Sequence, residues 1–186
     1  MGWNWITHLA NYCKLTVISE KSFQQEIEKS LPELKLTHQP VFHYLDIGER
    51  AIKLFWKQGD WRFYKFYHAW QKQALDLARQ LYASSRFHLT HQLNLIGYRE
   101  PGYLWKLPLP HIWGPINGYQ QMPWNYLRFL DLTGAFYYFS RNMVNLLQMY
   151  GSMRVHTAVR NTETIVCATM DDYHAIKKYM VLVPKY

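Results

Sequence analysis

The sequence predicts an α/β protein in three layers, α/β/α, built on a mostly parallel sheet. Three observations point there. Short apolar runs at 14–19, 87–92, 110–113 and 164–168 alternate with longer stretches whose apolar residues recur every three to four positions. The short runs lack period-two alternation, so both faces of the sheet are expected to be covered. In the middle, 87–123 reads FHLTHQLNLIGYREPGYLWKLPLPHIWGPINGYQQMP, two strand-like pieces that each enter a Gly, Pro and polar loop, with a short apolar turn at 103–107 between them. That is the order of a βαβ unit, and in open parallel sheets ligands collect where the chain leaves the carboxyl ends of strands.

The elements follow in order. In 2–12, Trp5, Leu9 and Tyr12 fall on one helical face with Ile6 beside them. The β-branched run KLTVIS at 14–19 is a strand, and 22–30, with Phe23 and Ile27 four apart and Pro32 beyond, is a short helix. A second extended region spans 34–44, and 46–56 holds a helical turn or two ending at Gly59. Asp60 is placed as the N-cap of the longest helix, in which Phe63, Tyr67, Trp70, Ala74, Leu77 and Leu81 form the core stripe and Arg62, Lys65, Lys72 and Arg79 lie off it. Beyond the central stretch, 124–133 and 135–153 are helical, split at Gly134 and carrying Arg128, Arg141 and Arg154. A strand at 164–168, a helix at 171–179 with Asp171 near its start, and a last strand at 180–183, cut short at Pro184, complete the chain. No repeat, linker or break in composition divides it, so one domain over 1–186 is expected.

Composition narrows the partners. The net charge of +8, from 21 basic against 13 acidic residues, favours anionic partners: nucleic acid, phosphorylated substrates or an acidic membrane face. Nucleic acid has only the charge and the rings behind it, since there is no basic stripe and no binding motif. Cys13 and Cys167 stand far apart without CxxC spacing or a secretory leader, which points to free thiols in a reducing compartment. No run approaches the ~18 apolar residues of a membrane span. A soluble, cytoplasmic protein is therefore expected. Eight Trp and fifteen Tyr suit either a bulky core or a sugar- or membrane-facing surface, and both readings stand.

Several residues qualify for a site on their own chemistry. His91 closes a strand, where an imidazole either serves the structure or exchanges a hydrogen bond with a hydroxyl. A metal is not expected there, because His88 and His91, three apart on a strand, point to opposite faces; His38 and His43 meet the same objection, and no cofactor is implied. From Gly114 to Gly118, Pro115 and the two glycines shape a turn whose backbone N–H groups would face an acceptor or a phosphate. Arg99 suits either an anionic acceptor or the end of a neighbouring helix. Glu163 and Arg154 read as surface ion-pair partners.

Taken together, His91, Arg99, Pro101, Leu104-Trp105-Lys106-Leu107 and Trp113-Gly114-Pro115-Ile116-x-Gly118 resemble the amino-terminal domain of family 4 retaining glycosyltransferases of the GT-B fold. The likeness extends to Gly2-Trp3-Asn4-Trp5, to Tyr67-x-x-Trp70 with Ala74 and Leu77-Ala78-Arg79, and to Arg141-Asn142, Asn145 and Arg154, so it covers essentially the whole chain. The resemblance implies a Rossmann-like domain on the acceptor side of a hexosyltransferase. A second domain, absent here, would bind the nucleotide sugar, and transfer to a saccharide or lipid-linked acceptor would take place between the two. His91 then matches the histidine facing the transferred sugar, and Arg99, Gly114, Pro115, Asn117 and Gly118 would line the acceptor side. Asn117 departs from the small residue, often Gly, found at its position in the family. Glu20 and Glu28 repeat the spacing of the family's donor-domain glutamates, but on an early charged helix.

In that family a strand and a Gly-rich loop precede Gly2-Trp3. With a strand order of 3-2-1-4, that first strand lies between the strands at 14–19 and 87–91. A sheet lacking it leaves those two strands with unpaired edges, or they meet each other. The chain alone is expected to be inactive. The alternative is a non-catalytic peripheral membrane or partner-binding module, with the aromatic helices of 124–153 lying in the headgroup layer of an anionic membrane at the inner face.

Overall fold

The computed structural model describes residues 2–55, 60–93 and 95–182, the last four as backbone only. Helices alternate with parallel strands, and the chain divides into two compact units, Met1–Ser85 and Arg86–Tyr186. Gly59 falls outside the described residues.

The first unit is built on two strands. Helix α1, Gly2–Leu9, is followed by β1, Thr16–Glu20, which pairs in parallel with β2, Val41–Leu45, from Thr16 opposite Val41 to Glu20 opposite Leu45. A 3-10 turn and α2, Gln24–Ser30, connect them. Glu20 ends β1 rather than lying on a helix; its carboxylate accepts from Ser22 N, and Glu28 takes the amide of Gln24 one turn away. After α3, Glu49–Phe55, comes α4, Phe63–Ser84. Its buried face is Phe63, Tyr67, Gln71, Ala74 and Leu75, rotated from the expected stripe. Gln71 is admitted because its amide donates to the Tyr67 hydroxyl at 2.6 Å. The Trp70 indole donates to Leu45 O at 2.9 Å and fixes the helix on the carboxyl end of β2. Asp60 does not cap α4: its carboxylate binds the backbone and guanidinium of Arg62, and Arg62 occupies the cap position.

The second unit carries three parallel strands in the order β3-β4-β5: Thr90–Gln92, His111–Ile116 and Thr164–Cys167. β3 and β4 flank a 3-10 turn at Leu104–Lys106. The strands expected to flank a missing neighbour, β1 and β3, belong to different sheets and do not pair with each other.

Four further elements differ from expectation. Residues 124–129 form a 3-10 helix, Trp124–Phe129. Gly134 does not split the helices: Asp131 caps α5, Leu132–Gly151, by accepting from Gly134 N at 3.2 Å. Ser152 then ends α5 and caps a separate α6, Met153–Arg160, accepting from Val155 N. Residues 180–182 are not a strand but the last turn of α7, Met170–Leu182. Thr169 opens α7 reciprocally with Asp172: the hydroxyl accepts from Asp172 N at 3.1 Å and donates to Asp172 Oδ2 at 2.7 Å. The core of this unit joins Tyr98, Trp113, Ile116 and Tyr119 to Met149, Val155, Val159 and Ile176. Among the described residues no helix is long and apolar enough to cross a membrane.

Candidate functional site

Strands β3 and β4 bring His91 and the Gly114 segment together, in a different form. His91 lies on β3 opposite Ile112 of β4. Its Nε2–H donates to Gly114 O at 2.7 Å, and burial lowers its pKa, which favours the neutral ring. Side chain and backbone 23 residues apart thus meet across the sheet.

Gly114 to Gly118 is not an open loop. Gly114, Pro115 and Ile116 are the second half of β4 and are buried. The Gly114–Pro115 peptide is cis, and the β4–β5 register shifts between Trp113 and Ile116. Gly114 has φ +134°, and a Cβ on it would collide with the Val166 carbonyl oxygen of β5. Only glycine fits there. Asn117 continues the pairing beyond the strand: its N–H donates to Ile96 O at 2.7 Å and its carbonyl accepts from Tyr98 N at 3.0 Å. Of the expected cradle of backbone N–H groups, Pro115 supplies none and that of Asn117 is already bonded to Ile96 O.

Arg99 projects from the turn after this bridge. Its guanidinium lies 4.8 Å from the Tyr98 ring centre and donates to the side chains of Asn145, at 2.5 Å, and Gln148 in the second half of α5. It does not cap the end of that helix, as one expected role had it, but binds two side chains along it. Arg154 reaches back from α6 to Arg99 O at 2.6 Å and to Glu100 Oε1 at 3.0 Å, pairing with a carboxylate that is buried rather than superficial.

Sequence reasoning gives no role to the residues that hold the site, although Asn142 and Asn145 figure in the resemblance. Asn145 Oδ1 accepts from the buried Tyr98 hydroxyl at 2.7 Å as well as from Arg99, and its Nδ2 donates to Gly118 O at 3.4 Å. One turn earlier, Asn142 clasps Met122, accepting from its N–H at 3.1 Å and donating to its carbonyl at 2.7 Å. Asp172, buried at the start of α7, accepts from Tyr119 N at 3.2 Å. The 118–122 segment is thus tied to two helices by three polar side chains. The available signal is two asparagines three apart in an otherwise apolar and aromatic helix, spacing that puts them on one face.

Two cavities of this unit lie elsewhere. One, of about 230 Å³, sits at the amino ends of β4 and β5 among Leu109, His111, Arg160 and Glu163. There Thr90 Oγ1 and His111 Nδ1 are 2.8 Å apart, and burial holds the His111 pKa down at about 4, with His91 acting in the same direction. The other, of about 510 Å³, runs along β5 and α7 beside Ile165, Tyr173 and Ile176. No protein-family model, curated protein or solved structure matches the chain.

Proposed function

We propose that the chain is the acceptor-side domain of a hexose-transferring enzyme, one whose nucleotide sugar is held by a second domain outside these 186 residues. The observation that carries the reading is the contact of His91 Nε2–H with Gly114 O, which joins the two parts of the motif His91…Trp113-Gly114-Pro115 into one place on the sheet. A neutral, oriented imidazole suits a sugar hydroxyl, to which it adds a hydrogen bond and no charge. The acceptor is a saccharide or a lipid-linked saccharide, met by a cytoplasmic protein at the inner membrane face. Retaining transfer also needs the departing nucleotide diphosphate stabilised by basic groups preorganised around it. Arg99 and Arg154 are engaged in holding the fold, so that stabilisation belongs to the donor domain. The chain by itself binds acceptor and does not turn over donor.

The test is saturation-transfer NMR of the purified chain with a panel of methyl glycosides, alongside incubation with UDP-glucose. Saccharide signals that fade in His91→Ala, with no UDP released, are expected. Release of UDP by the chain alone, or equal saccharide signals from His91→Ala, would overturn the reading.

A further inference from the structure

Helix α5 is docked the unusual way round. Its inward face is Asn142, Asn145 and Met149, and the asparagines hold the 118–122 segment by hydrogen bonds. The outward face carries Leu132, Phe136, Phe139, Met143, Leu147 and Tyr150, at spacings of three and four along the helix, with the exposed Tyr137 and Val144 beside them. These are exposed: Leu132 by 91%, Phe136 by 74% and Leu147 by 67%. An amphipathic helix ordinarily buries its apolar stripe in its own domain; here the polar side takes that place. The stripe continues into the preceding 3-10 helix, whose Trp124 meets Phe139 ring edge to face at 5.8 Å and whose Phe129 is 72% exposed.

Charge identifies what the stripe faces. No Asp or Glu occurs between Asp131 and Glu163, while Arg141, Arg154 and Arg160 fall within that span and Arg128 just precedes it. Arg128 lies in the 3-10 helix just before the stripe, and Arg141 borders the exposed face on its Tyr137 and Val144 side; their guanidinium groups lie over the rings of Phe129 and Tyr138, and neither has an ion-pair partner among the described residues. Twenty helical residues extend about 30 Å. A flat apolar strip of that length, with Trp and Tyr at its margins, basic groups beside it and a single acid, Asp131, at its start, matches the boundary between headgroups and acyl chains of an anionic bilayer.

We propose that the outward face of α5, with Trp124 and Phe129, is a docking surface for anionic membrane and seats the helix in the plane of the headgroup layer. It is independent of the glycosyl-transfer reading, which concerns the opposite side of the same helix and is tested by saccharide binding.

Flotation of the full 186-residue chain with vesicles of phosphatidylcholine alone, or with an equal part of phosphatidylglycerol, is the measurement. The wild type is expected to float with the anionic vesicles, about tenfold less with the neutral ones, and less as salt rises. Phe136→Ser/Leu147→Ser, altering two exposed side chains, is expected to lower partitioning by roughly tenfold or more at unchanged far-UV circular dichroism. Arg128→Gln/Arg141→Gln is expected to erase the preference for anionic lipid while the chain stays folded. No flotation of the wild type, or equal flotation of the serine variant, overturns the proposal. So does a dimer, seen by analytical ultracentrifugation, that the serine variant dissolves in a chain that never floats, because the face would then join two copies.

Discussion

Replacing Gly114 by alanine should unlock the second sheet. At φ +134° an L residue is strained by about 1–3 kcal/mol before any contact is considered. The added Cβ would also meet Val166 of β5, with the carbonyl carbon and Val166 Cβ both at 3.0 Å and the carbonyl oxygen closer still. Relieving that contact means parting β4 from β5 where their register already shifts, a further cost of about 1–3 kcal/mol as for other overpacked interiors. The total is roughly 4 kcal/mol, a large share of the ~5–15 kcal/mol that stabilises a domain. Urea unfolding followed by far-UV circular dichroism measures it. Gly97→Ala is the control, since a methyl group on Gly97 would meet nothing within 4 Å beyond its chain neighbours and the backbone there is not left-handed; it should be neutral, or more stable by a few tenths of a kcal/mol. If Gly114→Ala lost less than about 1 kcal/mol, the close approach of β4 to β5 would be refuted.

Two further outcomes follow from buried polar groups. Asn145→Ala removes the shorter of the two acceptors of the Tyr98 hydroxyl, leaving the Asn145 carbonyl at 3.2 Å, and should cost about 1–3 kcal/mol in the same urea assay; Tyr98→Phe combined with it should cost less than the two singly, and strict additivity would break the inferred pair. His111 titrates at 6.5 when exposed and at about 4 in the fold, so the unfolded chain takes up the proton first. Its contribution is intact above pH 6.5 and is lost as pH falls from 6.5 to 4, by about 3 kcal/mol, and His111→Gln should flatten that slope. A variant with the wild-type pH profile would show that the ring is not held neutral by the fold.

Periodicity is enough to find β1 and β5, short runs rich in β-branched residues, and the long α4, whose apolar residues recur every three to four positions, though its buried face is rotated from the stripe. It fails where a single side chain sets a boundary. Asp131 and Ser152 start helices by capping, and without their geometry 132–160 reads as helices broken at the glycine instead. Residues 180–182 look like a strand in isolation, and the helix begun by Thr169 and Asp172 carries through them. Pro115 argues for a loop, since proline cannot serve a central ladder; the register shift at Trp113 and Ile116 is what lets it sit in β4. Of the candidate site, His91 and Gly114 are legible as types suited to a strand end. Their contact is not, because a side chain and a carbonyl 23 residues apart leave no periodic trace. The buried roles of Asn142, Asn145 and Asp172 escape for a related reason: polar residues in helices usually face water, and only the packed structure reveals which are satisfied by backbone inside.

The clasping of the 118–122 segment by side chains has a kinetic corollary. The amide protons of Tyr119 and Met122 belong to no helix and no ladder; each is held by one carboxylate or carboxamide, from Asp172 and Asn142. Solvent deuterium can replace such a proton only when the side chain lets go, which for a buried group requires its helix to loosen. Two amides in a connecting segment thus act as clocks for the opening of α7 and α5, separately and within one short stretch of chain.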